Sequence, residues 1–242
     1  MARKVALITG SNRGIGFETA LGLGQKGMHI LLGVRNQKLG KSALVALKNR
    51  GVSAELVKLD LSSDDSILKA VQQIKRKYKK LDVLVNNAGV LLEPWTTPPS
   101  QASYQKIKQT FKTNFFGVIL LTQKLLPLLK KSSQGRIVNV SSIASSLTLL
   151  QKTNSEIYGW NVLGYSASKT ALNALTVHLA YELKGTKIKV NAAHPGWVRT
   201  RMGTAKGPVD VATGAKTSIR LATLPANGPS GKLFHMNKVL PW

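Results

Sequence analysis

The residues of this sequence best suited to chemistry are a tyrosine and a lysine four positions apart, Tyr165 and Lys169, which a helix sets on one face. An isolated phenol titrates at about 10, too high for efficient proton exchange near neutrality. A neighbouring ammonium stabilises the phenolate and is expected to lower that value. Tyr–Lys neighbours on a helix are also common surface pairs, so the surroundings must decide. Near the start of the chain, Thr9-Gly10-Ser11-Asn12-Arg13-Gly14-Ile15-Gly16 follows an apolar run and precedes a helical pattern. Gly10 lets the chain turn sharply, and Gly14 and Gly16 let backbone amides and a helix N-terminus approach a pyrophosphate. The spacing is G-x3-G-x-G rather than G-x-G-x-x-G, and a glycine-rich turn alone is often only a turn.

A dinucleotide carrying a free ribose 2′-hydroxyl calls for a carboxylate about 20 residues beyond the glycines. Between Glu18 and Glu55 the chain has no Asp or Glu. Arg35 stands at the end of the second strand pattern, and Arg13 lies in the glycine loop. Two guanidiniums there would pair with a 2′-phosphate, which points to NADPH rather than NADH. In a basic protein both could also be plain surface residues. The missing carboxylate does not share that ambiguity.

These groups have to be positioned by the elements around them. Short apolar runs at Val5–Thr9, His29–Gly33, Ala54–Leu59, Val83–Val85, Arg136–Val140, Lys187–Ala193 and Gly231–His235 read as strands. Helical patterns lie between them at Gly14–Lys26, Gln37–Asn49, Asp64–Lys79, Gln101–Lys131, Gly164–Lys184 and Val209–Leu221. Ser62-Ser63-Asp64-Asp65 is a cap cluster, and Gly27 and Gly51 are helix stops. The alternation predicts one doubly wound α/β domain over residues 1–242, with a mostly parallel seven-stranded sheet and right-handed crossovers. Leu91–Ser100 and Ile143–Leu163 break the rhythm as loops. Each follows a strand, at the sheet edge where such folds bind ligands.

Composition narrows the function classes. At 43% hydrophobic and 19% charged, the chain can bury a sizeable core. It has no cysteine, and His29, His178, His194 and His235 are scattered, so no metal site is expected. Its 35 Lys and Arg against 10 Asp and Glu give a net charge of +25. Lys75, Arg76, Lys77, Lys79 and Lys80 form the densest run, where a helix should end and cations oppose its dipole. The cations read as a solvated surface, with nucleic acid attracted by charge alone; no RNP-like strand is present. Met1-Ala2-Arg3-Lys4 runs straight into a strand pattern without a secretory signal. No apolar stretch reaches the roughly 20 residues of a membrane span. A cytoplasmic protein is expected.

Asn86-Asn87-Ala88-Gly89, Asn114, Ser141-Ser142, Tyr165-Ser166-Ala167-Ser168-Lys169 and Pro195-Gly196 follow the glycine loop in order. On this ordered set the chain resembles the short-chain dehydrogenase/reductase family, in its carbonyl-reductase-like branch, over essentially its whole length. The resemblance implies a Rossmann-type fold, bound NADPH and reduction of a carbonyl to an alcohol. It makes Tyr165 the general acid and Lys169 the partner that also hydrogen-bonds the nicotinamide ribose. Ser142 then holds the substrate oxygen, with Ser141 as the fallback, and Asn114 joins a water relay to Lys169. Otherwise Asn114 is a polar residue interrupting a helix. It assigns Gly10, Ser11, Asn12, Arg13, Gly14, Ile15, Gly16, Arg35, Asp60, Leu61, Asn87, Ala88, Gly89, Tyr165, Lys169, Pro195, Gly196, Val198 and Thr200 to the cofactor. Asp60 resembles an adenine-contacting aspartate, though it could equally cap the next helix.

Ser142 and Tyr165 lie further apart than in most of that family. This matches the carbonyl reductase branch, whose longer insertions cover the site and the oligomerisation helix. The insertion here is modest, so whether the chain forms a homo-oligomer stays open. Trp95, Trp160, Trp197 and Met202 could line an apolar pocket, favouring a hydrophobic ketone or aldehyde, although each could be ordinary packing. Two other functions compete: a non-catalytic NADP(H)-binding sensor on the same fold, and a basic RNA- or membrane-associated protein.

Overall fold

The computed structural model describes residues 3–242; Met1 and Ala2, which open the stretch read as lacking a secretory signal, lie outside the described residues. Five-residue β1 (Val5–Thr9) is apolar up to its terminal Thr9 and wholly buried, as expected of a strand covered on both faces. It is followed by α1 (Gly14–Gln25), β2 (His29–Val34), α2 (Gln37–Lys48), β3 (Ala54–Lys58), α3 (Asp64–Lys77) and β4 (Val83–Asn86). Then come α4 (Tyr104–Phe111), α5 (Gly117–Leu129), β5 (Arg136–Val140), α6 (Leu147–Gln151), α7 (Leu163–Glu182), β6 (Lys189–Ala193), α8 (Val211–Ala222), β7 (Leu233–His235) and β8 (Lys238–Leu240). The sheet order is β3-β2-β1-β4-β5-β6-β7-β8, parallel except for the antiparallel β7–β8 pair. The order reverses between β1 and β4, which opens a crevice at the carboxyl ends of these strands.

The two faces of the sheet carry separate cores. Leu7, Leu31, Leu84, Ile137 and Val190 pack beneath α3, α5 and α7. Ala6, Ile8, Ile30, Leu32, Val85 and Val138 face α1 and α8 on the other side. Neighbouring residues of β1 thus feed opposite layers, each fully buried aliphatic contributing about 1.5–3 kcal/mol. Helix starts follow the sequence signals: Ser63 caps α3, and Lys75, Arg76 and Lys77 occupy its last turn. Gly27 and Gly51 both take positive φ just beyond helices.

Three expectations need correction. The sheet has eight strands, not seven, because three-residue β8 returns along β7 after a turn at Met236 (φ 52°). Lys-Val-Leu is too short to show a strand period. The helix expected over Gln101–Lys131 is divided into a 3-10 turn at Pro99–Gln101, α4, a π-helical turn at Lys112–Phe116, and α5. Ser103 starts α4 by accepting from the Lys106 amide at 3.4 Å. The stretch Ile143–Leu163, expected as loop, holds a 3-10 turn at Ile143–Ser145 and α6, capped by Ser142 and Ser146. The remaining strand and helix limits move by a residue or two.

Most of the cations are solvated, whereas Arg136 and Lys169 are buried. Among the described residues, ion pairs join Lys69 to Asp65, Lys77 to Glu55 and Lys80 to Asp82 only. No helix of the described residues is long and apolar enough to cross a membrane.

Candidate active site

Four carboxyl-end segments meet at the crevice. The first is the glycine turn after β1, where Gly10 (φ 66°) and Gly14 (φ 57°) adopt left-handed conformations. A Cβ on Gly10 would lie 3.0 Å from Ala88 Cα, and one on Gly16 only 2.5 Å from Asn87 Nδ2. The turn is tied back by Gly10 N–H to the Gly33 carbonyl (2.7 Å) and by Ser11 Oγ to the Ile8 carbonyl (2.9 Å). Helix α1 begins after an extended Arg13 with no side-chain cap and no acidic residue in its first turn. Its amino end therefore offers amides and positive dipole to an anion. This uncapped end and the glycine cradle, which any Cβ would fill, suit a dinucleotide pyrophosphate. Across the crevice, Thr200 Cγ2 lies 3.7 Å from where a Gly14 Cβ would stand.

Arg13 and Arg35 are both exposed at this edge, and neither is in an ion pair. After Arg35 comes Asn36, whose side-chain oxygen is committed to the Leu39 amide at 3.1 Å as the cap of α2. No carboxylate follows in the chain before Glu55. Asp60 does not cap α3. Its Oδ1 accepts from the Ser62 amide (2.9 Å) and hydroxyl (2.7 Å), bracing the turn, while Leu61 is buried behind it.

The second segment, Asn86-Asn87-Ala88-Gly89, is stitched to the glycine turn by Thr9, a residue that the motif spacing did not single out. Thr9 Oγ1 accepts from the amides of Asn87 (3.0 Å) and Ala88 (2.9 Å), and Asn87 Nδ2 donates to the Thr9 carbonyl (2.8 Å). Below it, Asn86 Nδ2 reaches Asn139 Oδ1 at 2.8 Å, and Asn139 Nδ2 reaches Thr176 Oγ1 at 2.9 Å, a polar ladder through the sheet.

The third and fourth segments, the loop after β5 and the start of α7, bring the reactive groups together. Tyr165 and Lys169 are both buried, and Lys169 Nζ lies 5.8 Å from the Tyr165 ring centre. Lys169 Nζ donates to the Val140 carbonyl at 2.7 Å. A Cβ on Gly89 would sit 3.3 Å from Lys169 Nζ and 3.4 Å from Asn114 Oδ1, so Gly89 lies between them. Asn114, in the π-helical turn, is fully buried. Its Nδ2 donates to the Val90 carbonyl (2.9 Å) and Ser168 Oγ (3.0 Å), and its Oδ1 accepts from the Val90 amide (2.8 Å). The two serines differ. Ser141 Oγ turns inward to Asn173 Oδ1 at 2.7 Å, whereas the Ser142 hydroxyl faces the Tyr165 phenol.

Electrostatics overturn one expectation. Burial pushes the Tyr165 phenol above its ordinary value, with the Ser142 hydroxyl pulling it down by less. Burial also lowers Lys169 to about 8. In the chain by itself, therefore, burial outweighs any acidifying effect of the lysine on the phenol. Its ammonium is spent on the Val140 carbonyl, and desolvation disfavours the charged form of each group. His194 is likewise held neutral, at about 3, by burial and the nearby His235, and its Nδ1 accepts from the Ile143 amide at 3.1 Å.

An apolar cluster surrounds the phenol: Ala144 and Val162 pack on Tyr165, with Leu91, Trp160 and Met202 against them. Trp95 joins through Trp160, edge to face at 5.6 Å. Trp197 stands apart, half exposed, its indole N–H donating to the Gly203 carbonyl at 2.5 Å. Gly196 (φ 88°) turns the chain after Pro195, and buried Val198 pairs with Val209. Glu93, also missed, is a buried carboxylate on the backbone of Gly164 and Tyr165. Its one sequence signal is an acid set among Leu91, Leu92, Pro94 and Trp95 in a strongly basic chain. A cavity of about 340 Å³ behind the end of α7, lined by Val177, Leu183 and Ile188, contains none of the reactive groups. The described residues hold no cluster of three or more side chains suited to a metal.

Comparison with known proteins places this constellation. Residues 4–209 match the short chain dehydrogenase family. Carbonyl reductase [NADPH] 1 of Mus musculus is 35% identical over 279 aligned positions, covering 100% of this chain and 99% of the relative. Short-chain dehydrogenase/reductase 1 of Saponaria officinalis is 32% identical, covering 99% of this chain and 96% of its own. Among solved structures, the NADPH-bound carbonyl reductase from chicken fatty liver superposes with a TM-score of 0.84 at 28% identity, covering 100% of this chain and 99% of that one. Salutaridine reductase from Papaver somniferum gives 0.82 at 28% identity, covering 96% and 99%. The family match and these full-length relatives agree with the order of motifs along the crevice: this chain belongs to the short-chain dehydrogenase family.

Proposed function

We propose that the chain reduces a hydrophobic ketone or aldehyde to an alcohol, with Tyr165 as the general acid. The protein is an NADPH-dependent oxidoreductase of the carbonyl reductase type. The observation that carries the finer reading is the burial of Tyr165 and Lys169 side by side at the crevice, with Ser142 facing the phenol inside an apolar cluster.

The glycine turn and the amino end of α1 would hold the pyrophosphate, Arg13 and Arg35 the 2′-phosphate, and Asp60 and Leu61 the adenine side. Asn87, Ala88, Gly89, Pro195, Gly196, Val198 and Thr200 would flank the remainder. When bound, NADPH supplies a hydride to the carbonyl carbon. Ser142 Oγ orients the carbonyl oxygen by donating a hydrogen bond to it, and Tyr165 passes its proton to that oxygen. Burial keeps the phenol protonated at neutral pH, so the proton is in place, and a neighbouring cation is needed to make its transfer efficient. Lys169, at about 8, is mostly charged near pH 7 and stabilises the phenolate left behind. Asn114, held by Val90 and Ser168 beside Gly89 and Lys169, would join a relay through water toward Lys169. Ala144, Val162, Trp160 and Met202 exclude water from the oxygen and favour an apolar substrate. The same reading takes residues 1–242 as one domain working in the cytoplasm.

The test follows NADPH oxidation against a panel of aldehydes, quinones and cyclic ketones, with Tyr165→Phe alongside. Turnover should fall by about 100-fold or more in the variant while NADPH affinity stays unchanged. Near wild-type turnover in Tyr165→Phe overturns the acid assignment. NADPH binding with no turnover of any carbonyl supports the sensor reading instead.

A further inference from the structure

We propose that Glu93 is the positioning residue for Tyr165: a buried carboxylate, supplied by the loop after β4, that caps the helix carrying the proton donor and fixes the donor's backbone. The inference rests on the function proposed for Tyr165, but its geometry stands independently.

Helix α7 begins after Val162, which offers no side-chain cap, whereas α2, α3, α4 and α8 are capped by the residue just before them. The acceptor comes instead from more than 70 residues away in sequence. Glu93 Oε2 accepts from the Gly164 amide at 3.1 Å, and Oε1 from the amide of Tyr165 itself at 2.8 Å. Glu93 is 6% exposed and forms no ion pair. Its charge is balanced by two charge-assisted hydrogen bonds and the positive end of the helix dipole. Gly164 makes room for it, since a Cβ there would lie 3.2 Å from Oε2 and 3.0 Å from Ile107 Cγ1.

The grip extends along the loop. Trp95 packs edge to face on Trp160, and Thr96 pairs in parallel with Asn161. Residues 93, 95 and 96 therefore clasp the segment 160–165 in register. At the other end of the loop, Val90 is held at both its amide and its carbonyl by Asn114. One loop thus connects Asn114, beside Lys169, to the amide of Tyr165. A shift of the phenol relative to Ser142 and Lys169 is what the clasp prevents, and a displacement of about 1 Å at a reacting group costs up to about 100-fold in rate.

The test uses Glu93→Ala and Glu93→Gln in the full chain. Gln keeps one oxygen for one amide and turns its NH2 toward the other, so it should fall between wild type and Ala; it also serves if the Ala variant does not fold. In folded variants the Gly164 and Tyr165 amides should exchange faster with solvent, and the near-ultraviolet dichroism of the Trp95–Trp160 pair should weaken. The kcat for carbonyl reduction should fall by about 10- to 100-fold in Glu93→Ala, with NADPH affinity within about twofold of wild type. Unchanged protection of both amides, or unchanged kcat in a variant whose amides have lost protection, overturns the proposal. So does a loss of kcat matched by equal losses of NADPH binding and folded fraction. If the wild type reduces no carbonyl, the proposed function fails, and the amide exchange alone still decides whether Glu93 holds Tyr165.

Discussion

Lys169 offers a test in which stability and activity should move in opposite directions. Burial takes its amine from an ordinary 10.5 to about 8, which corresponds to a penalty of about 3 kcal/mol for keeping the charged form in place at pH 7. Replacing Lys169 with Met removes that charge but strands the Val140 carbonyl, whose lost partner costs about 1–2 kcal/mol. The variant should therefore be more stable than wild type at pH 7 by about 1–2 kcal/mol, or about 2–8 °C in Tm for a chain of this size. The sign then changes with pH. Between about 8 and 10.5 the unfolded lysine still holds a proton that the folded one has released, so wild-type stability rises through that window. Above it, only the stranded carbonyl separates the two proteins, and wild type becomes the more stable. Urea unfolding of both proteins from pH 7 to 10.5 measures the crossing, and taking the difference cancels the surface lysines. Carbonyl reduction by the variant should meanwhile fall at least about 100-fold, and wild-type kcat/KM should decline as pH rises through about 8. A Met variant that is less stable at pH 7, by an amount that does not change up to pH 10.5, refutes the reasoning.

Asp82 is a buried charge that the fold favours rather than disfavours. Burial raises its carboxyl, but hydrogen bonds from Ser132 (2.6 Å), Lys80 (2.9 Å) and the Val5 amide (2.9 Å) outweigh that and hold it low. The stability it contributes is present above about pH 4 and lost as pH falls below it. Asp82→Asn should cost about 2–4 kcal/mol at pH 7 in urea unfolding, and the acid-dependent part should be absent from the variant. Equal stability of the two proteins at pH 7 would contradict this account. Arg35→Asp should weaken NADPH by about tenfold or more and NADH far less, measured by quenching of protein fluorescence. Equal effects on both dinucleotides would remove the 2′-phosphate argument.

What the sequence revealed and what it hid follow from the range of the interactions. The βαβ alternation, the glycine turn and the caps are local, so the composition of a few residues specifies them. Ser63 before Asp64 and Gly51 after α2 sit where the sequence placed them. Asn114, Ser142, Tyr165 and Lys169 were legible because their order along the chain is characteristic, and the fold gathers them at one crevice. The π-helical turn at Lys112–Phe116 was not legible. No residue there forbids an α-helix, and the turn accompanies the buried Asn114 amide clamped on Val90. Thr9 and Glu93 were hidden for the same reason, since each acts on backbone amides about 70 or more residues away. The state of the phenol was misread because spacing gives proximity, whereas burial sets the larger effect on the titration of both groups.

That misreading bears on direction. If Tyr165 is the acid, burial holds it in the form that donates a proton, and a buried lysine near 8 would be the partner that restores it. Alcohol oxidation requires the phenolate before the reaction starts, which the dry site disfavours at neutral pH. Reduction requires the phenol, which the same burial maintains. On the function proposed for Tyr165, the apolar wall of Ala144, Val162, Trp160 and Met202 would do more than select the substrate: by keeping water from the phenol it would favour the reductive direction. Opening that wall with Trp160→Ala should admit water to the phenol and lower its pKa toward the ordinary value. The alkaline pH optimum for alcohol oxidation should then move toward neutrality. An optimum that stays in place, while substrate KM alone rises, would confine Trp160 to binding and separate the two roles.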